Sequence, residues 1–230
     1  MDVLADCIQR LEVVAKRTEG KLLVSYSGGK DSLAILDIAS RIFDHIECFF
    51  MYFLPDMQCV QPMLKFAEEN YKVTIHQYPH WALAVSLREG IFCDSYYTLA
   101  SLDWSLKDIY TLVVDDTEIP AIAVGARRKE SQWRRRTIKQ MAKIKEVVYP
   151  IENWTKLDVI GYLKRRGLPV PRLDKDDRSG VGLSPDHILW LYKHWPQDYA
   201  KIVKRFPYIE AVIWRERFYG ESEKVSVTSE

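Results

Sequence analysis

Apolar positions recur along this chain in two alternating periods. Val3, Leu4, Cys7, Ile8, Leu11 and Val14 fall at helical spacing among charged residues, so residues 3–18 read as an amphipathic helix lying across a sheet. Lys21-Leu22-Leu23-Val24 is a short apolar run, the mark of a buried strand, and residues 33–39 read as a helix packed against a sheet. Residues 45–53 form a second strand, residues near 60–70 a helix, and residues 73–76 a third strand. The alternation resumes with a helix over 103–114, a buried strand over 121–124 and a strand over 147–151. Thr155 is placed to N-cap the next helix, with Asp158 at its third position; that helix runs to about Arg166 and stops at Gly167, with Pro169 beyond it. Strands alternating with helices predict an α/β fold with a doubly wound, mostly parallel sheet. Ligands of such sheets sit at the carboxyl ends of the strands.

Two stretches break the alternation. Residues 77–101 open with Tyr78-Pro79-His80-Trp81, pass a short helical patch at 83–87 and reach Phe92, Cys93, Tyr96 and Tyr97. Irregular buried packing and a lid or contact surface both fit this stretch. Beyond Pro169 the chain turns polar, then offers two helical stretches, 184–194 and 196–206, dense in Trp and Tyr. The expected division is an α/β nucleotide-binding domain over 1–168, a helical aromatic-rich region over 169–219 and a disordered tail over 220–230.

Composition adds constraints. The chain has 230 residues, 47% of them apolar, enough for one α/β domain with a substantial core. A formal net charge of +1 favours no partner globally. Cys7, Cys48, Cys59 and Cys93 form no Cys-x-x-Cys pair and read as free thiols in a reducing compartment. The N-terminus is not a signal peptide and no apolar run is long enough for a bilayer, so the expectation is a soluble cytoplasmic protein without a membrane partner. A homo-oligomer stays open.

The chemistry concentrates in Ser27-Gly28-Gly29-Lys30-Asp31-Ser32, between the first strand and its helix. Two glycines let backbone N–H groups approach an anion, and the helix N-terminus adds unpaired N–H groups and positive dipole. Ser27, Lys30 and Ser32 add side-chain donors, which completes a phosphate cradle. The ordinary P-loop needs a hydroxyl directly after the lysine, where this chain has Asp31; the Gly-x-Gly-x-x-Gly dinucleotide turn is absent too. Phe53, Leu54, Pro55 and Asp56 follow the second strand and are candidates to line an adenosine pocket, although Asp56 serves equally well as a turn or N-cap residue. After the 121–124 strand come Gly125, Arg127, Glu130, Ser131 and Arg134, placed by the same topology to face the cleft. Arginine forks bind phosphate or sulfate bidentately, and Glu130 is placed either to hold an arginine or to help bind magnesium. Basic residues continue to Lys145; the segment 127–145 suits nucleic acid or an ordinary solvated face.

The string Ser27–Ser32 resembles the pyrophosphate-binding PP-loop of the adenine nucleotide α-hydrolase superfamily. The Gly125–Arg134 stretch, and Pro150-Ile151 with Trp154-Thr155 and Asp158-Val159, resemble the phosphoadenylyl-sulfate (PAPS) reductase family within it. The resemblance implies a Rossmann-like sheet and an adenine nucleotide ligand, ATP or PAPS. It breaks at the thiols. Reductases of this family attack sulfate with a cysteine in a C-terminal Glu-Cys-Gly-x-His string, and another branch carries paired cysteines for an iron–sulfur cluster. This chain has no cysteine after Cys93, so no cluster is expected. The reading that fits best is an enzyme that cuts ATP between the α and β phosphates, adenylates an unidentified acceptor and releases pyrophosphate. There Ser27 to Ser32 bind pyrophosphate, Asp31 orients magnesium, and Arg127 and Arg134 hold the α-phosphate or the acceptor. The alternatives are a PAPS reductase drawing its thiol from Cys93, Cys59 or a partner, and a nucleotide-binding accessory protein without turnover.

Overall fold

A computed structural model of the chain describes residues 2–94, 104–141, 144, 147–170 and 182–226, with backbone alone from 219 onward. The expected Asp103, Lys143 and Lys145, the aromatic pair Tyr96 and Tyr97, and the polar stretch 171–180 lie outside these residues. The chain divides into two compact units. One comprises Met1–Met51, Pro62–Tyr78 and Ser105–Arg172, the other Tyr52–Gln61, Pro79–Trp104 and Leu173–Glu230.

The first unit is built on the sheet. Helix α1 (Val3–Arg17) starts where the Asp2 carboxylate accepts the Leu4 N–H, and it buries Cys7, Leu11 and Val14. Strand β1 (Lys21–Ser25) is followed by α2 (Lys30–Ala39), then β2 (His45–Tyr52), α3 (Gln61–Tyr71) and β3 (Thr74–Pro79). After these come α5 (Leu106–Thr117), β4 (Ile122–Val124), α6 (Gln132–Met141), β5 (Val147–Val148) and α7 (Lys156–Arg165); α4 (Trp81–Arg88) precedes them in the chain. The strand order is β3-β2-β1-β4-β5, and the β1–β2, β1–β4 and β4–β5 pairs are parallel. This is the expected doubly wound α/β architecture. Leu22, Leu23 and Val24 of β1 are fully buried, as are Ile122 and Ala123 of β4, because helices cover both faces of a central parallel strand. Strand β5 is shorter than its apolar run: Pro150 has no N–H to give the ladder, and residues 149–154 form hydrogen-bonded turns instead.

A buried carboxylate ties α2 to its neighbours. Asp37 is 4% exposed and accepts from the Tyr71 hydroxyl at 3.1 Å, the Arg166 Nε at 3.1 Å, the Tyr162 hydroxyl and the Arg41 guanidinium. A buried charge needs such partners to offset its desolvation.

The second unit holds α4, α8 (Pro185–His194), α9 (Pro196–Arg205) and α10 (Glu210–Ser226). Pro185 and Pro196 stand in the first turns of their helices, where the missing N–H costs nothing. Asp198 is fully buried and accepts the N–H groups of Gln58 and Cys59 at 2.9 and 2.7 Å, fixing the turn after β2 to α9. Helix α10 carries residues 220–226, which the sequence pattern assigns to a tail. Among the described residues, no helix is long and apolar enough to cross a membrane.

Candidate nucleotide site at the glycine turn

The carboxyl ends of β1 and β4 lie side by side, Ser25 opposite Val124, so the turns that follow them meet. After β1, Gly28 adopts φ +73°, a conformation that disfavours a side chain, and an added Cβ there would fall 1.9 Å from Met63 Sδ. Gly29 is the N-cap of α2. Ser32 is 3% exposed and locks the turn from inside: its hydroxyl donates to the Gly29 carbonyl at 3.0 Å and accepts the Ser27 N–H at 3.2 Å. The Ser27 hydroxyl lies 3.3 Å from it. The first-turn N–H groups of α2, at Lys30, Asp31 and Ser32, have no intrahelical acceptor by the geometry of a helix start. They are the donors that an anion would meet.

Across from this turn, Gly125 makes the close approach possible. A Cβ on it would lie 2.9 Å from the Ser32 nitrogen and 3.0 Å from the Asp31 carbonyl carbon. Arg127 is 5% exposed, and its Nε donates to Asp31 Oδ1 at 2.6 Å, while Lys30 Nζ donates to Asp31 Oδ2 at 2.6 Å. The structure therefore gathers Ser27 to Ser32, Gly125 and Arg127 into one cluster of two cations on one carboxylate. Lys30 carries its ammonium on a flexible stem at the start of α2.

The remaining candidates are placed elsewhere. The Glu130 N–H donates to the Arg127 carbonyl at 3.2 Å, and its exposed carboxylate lies 3.6 Å from Arg134 Nε. The Ser131 hydroxyl accepts the Arg134 N–H at 3.0 Å and so caps α6. The Arg134 guanidinium stacks on the Trp133 ring, 5.3 Å from its centroid. Phe53 and Asp56 belong to the second unit. Phe53 is buried against Phe206, ring centroids 5.7 Å apart, and Asp56 sits in a left-handed turn, φ 55°, where its carbonyl accepts Lys201 Nζ.

Sequence reasoning missed two supports. Met63 fills the space beside Gly28, and its carbonyl accepts the Tyr26 hydroxyl at 3.1 Å. Glu152, 7% exposed, holds Arg128 Nε and Arg10 at 2.8 Å each and accepts the Arg128 N–H on its carbonyl, which pins the loop carrying Arg127. Its position one residue past Ile151 was the available signal. A cavity of about 450 Å³ lies beside it, lined among others by Leu11, Val14, Arg17, Arg128 and Tyr149. No residue of the glycine turn lines it.

The magnesium residue expected from the sequence is Asp31. Both oxygens of Asp31 already face cations. Among the described residues, no cluster of three His, Cys, Asp or Glu side chains could hold a metal. The thiols are equally withdrawn. Cys93 is 5% exposed and burial pushes its pKa up; burial, then the Asp198 carboxylate, pushes Cys59 up to about 12.

Two solved structures resemble the chain loosely. Phosphoadenylyl-sulfate reductase from Candida auris, as a phosphate complex, is 18% identical over 71% of this chain and 81% of its own, with a TM-score of 0.42. The U34-tRNA thiolase NcsA from Methanococcus maripaludis, with its 4Fe–4S cluster, is 16% identical over 87% of this chain and 78% of its own, with a TM-score of 0.44. No curated protein matches the chain. Residues 21–185, which carry the glycine turn and the Gly125–Arg134 loop, match the phosphoadenosine phosphosulfate reductase domain, and the chain belongs to that family.

Proposed function

We propose that the protein is an ATP-using enzyme that transfers an adenylyl group to a nucleophilic acceptor and releases pyrophosphate. The observation that carries this reading is the glycine turn on the α2 N-terminus with Lys30, Asp31 and Arg127 beside it. The acceptor's lone pair forms a bond to the α-phosphorus, and the bond to the bridging oxygen breaks with its electrons leaving on pyrophosphate. Lys30 and the first-turn N–H groups stabilise that departing charge. Arg127, held by Asp31, positions the opposite loop; Arg127 and Arg134 are the candidates to hold the α-phosphate or the acceptor. No step is assigned to a metal.

A sulfonucleotide reading is favoured by the family match. It requires a thiol from outside the chain, because Cys59 and Cys93 are buried or raised in pKa and a thiolate is the nucleophile.

Calorimetric titration with ATP–magnesium and with PAPS separates the two. ATP binding tighter than PAPS, with pyrophosphate release on adding an acceptor, is the expected result. Lys30→Ala should weaken ATP by about 10- to 100-fold, the worth of a lost charge-assisted hydrogen bond. Unchanged ATP affinity in that variant would sink the assignment of the loop. Tight ATP binding without turnover on any acceptor would mark an accessory nucleotide-binding protein.

A further inference from the structure

We infer that α6 and the loop leading into it are a docking strip for single-stranded nucleic acid. The inference rests on the adenylation reading and names the class of acceptor or partner at that site.

Helix α6 is unusual within the first unit. Ile138 is its one buried residue. Trp133, in its first turn, is 54% exposed. Residues 127–139 contain seven Lys and Arg but a single acid, Glu130, in a chain whose formal net charge is only +1. The rest of the chain is therefore net negative, and the strip is strongly basic against that background. Among the described residues, no carboxylate pairs with Arg135, Arg136 or Lys139.

These features select an occupant. Phosphodiesters supply the regularly spaced anions that a row of guanidinium and ammonium groups matches, with counterion release adding to affinity. An exposed indole offers a stacking face for one base, with the Arg134 guanidinium 5.3 Å from the ring centroid. Stacking requires a base free of its pair, so the strand must be single or looped out. A membrane surface is disfavoured, because α6 presents Trp133 alone rather than an apolar face. The strip also leads to the nucleotide site: Arg127, six residues before Trp133, touches Asp31 in the glycine turn.

The test is fluorescence anisotropy with labelled twelve-residue oligo-U and oligo-dT strands and a duplex of equal length, without ATP. The single strands should bind more tightly than the duplex, with preference for either sugar counting in support. Trp133→Ala should weaken strand binding about tenfold. Arg135→Gln with Arg136→Gln should flatten the salt dependence, by roughly 0.7 in log–log slope for each phosphate that is no longer neutralised. All three side chains are exposed or half-exposed on α6, so the variants should melt like the parent. Equal binding of strand and duplex, no binding at low salt, or a Trp133→Ala variant that binds like the parent would each overturn the inference. Lys30→Ala separates it from the parent reading, since that variant should bind ATP about 10- to 100-fold more weakly yet keep the oligonucleotide. Loss of strand binding alone refutes the strip, and unchanged ATP affinity alone refutes the nucleotide site.

Discussion

Gly125 and Gly28 both lack a side chain in the candidate site, but for different physical reasons. A methyl group on Gly125 would press on the backbone of α2, at Ser32 N and the Asp31 carbonyl carbon, and backbone in a helix start cannot step aside. At Gly28 the clash is with the thioether of Met63, an adaptable side chain, while the cost that remains is the positive φ. Gly125→Ala is therefore expected to cost about 1–3 kcal/mol of stability, as overpacking does. It should also weaken ATP binding, because pushing the two turns apart separates Arg127 from Asp31. Denaturant unfolding and calorimetry on the same variant check both effects. A loss of stability with ATP affinity intact would show that the two loops do not act together. Residue identities around this site were legible where chemistry constrains type: glycines, a lysine and an arginine at fixed spacing. The partners were not legible. Asp31 as the shared counterion, Met63 as the filler and Glu152 as the clamp depend on which turns the sheet brings side by side, and spacing along the chain carries no trace of that.

At the scale of elements, a helix was predictable in proportion to how much of its stability is written locally. Helix α7 is the clear case. Its capping box is complete: the Thr155 hydroxyl accepts the Asp158 N–H at 3.2 Å, and Asp158 accepts the Thr155 N–H and hydroxyl at 2.7 and 2.6 Å. Those hydrogen bonds, the hydroxyl's first, hold the Asp158 pKa below its ordinary value. A carboxyl whose folded pKa is depressed contributes stability above its unfolded pKa, and that contribution fades as pH falls through the folded value. Thr155→Ala should then cost about 1 kcal/mol at pH 7. The gap in Tm between parent and variant should narrow as pH drops below the usual carboxylate range; a gap constant with pH would assign the effect to packing alone. Helix α10 is the opposite case and is not visible in the sequence pattern. Among its described side chains only Ile213 is buried, while Trp214 and Phe218 are 55% and 67% exposed and stack on each other. No apolar stripe exists there for a helical period to reveal. Strand β5 is shorter than its sequence pattern for a related reason: residues 147–151 are apolar throughout, but only two of them pair, since Pro150 ends the ladder.

For the whole molecule, the distribution of its thiols bears on the class of reaction. Cys7 and Cys48 are fully buried in the first unit, and burial raises both, Cys7 to about 12. Cys59 is likewise pushed up to about 12, and Cys93 is raised by burial. All four cysteines in the chain are thus held as thiols at neutral pH, in both units and for the same dominant cause. A redox enzyme that used its own cysteine would need the reverse: an exposed thiolate stabilised by neighbouring positive charge. Lys30 and Arg127, the cations of the glycine turn, face Asp31 rather than a cysteine. The native protein at pH 7.5 is therefore expected to react with an aromatic disulfide reagent far more slowly than a free thiol does, with all four cysteines reacting once guanidinium unfolds it. Purified protein supplied with PAPS and no added thiol should release no sulfite. One cysteine reacting stoichiometrically within seconds in the native state would reverse this conclusion. It would supply the nucleophile that the sulfonucleotide reading lacks, and PAPS reduction by that residue, tested by its replacement with serine, would displace adenylation as the leading account.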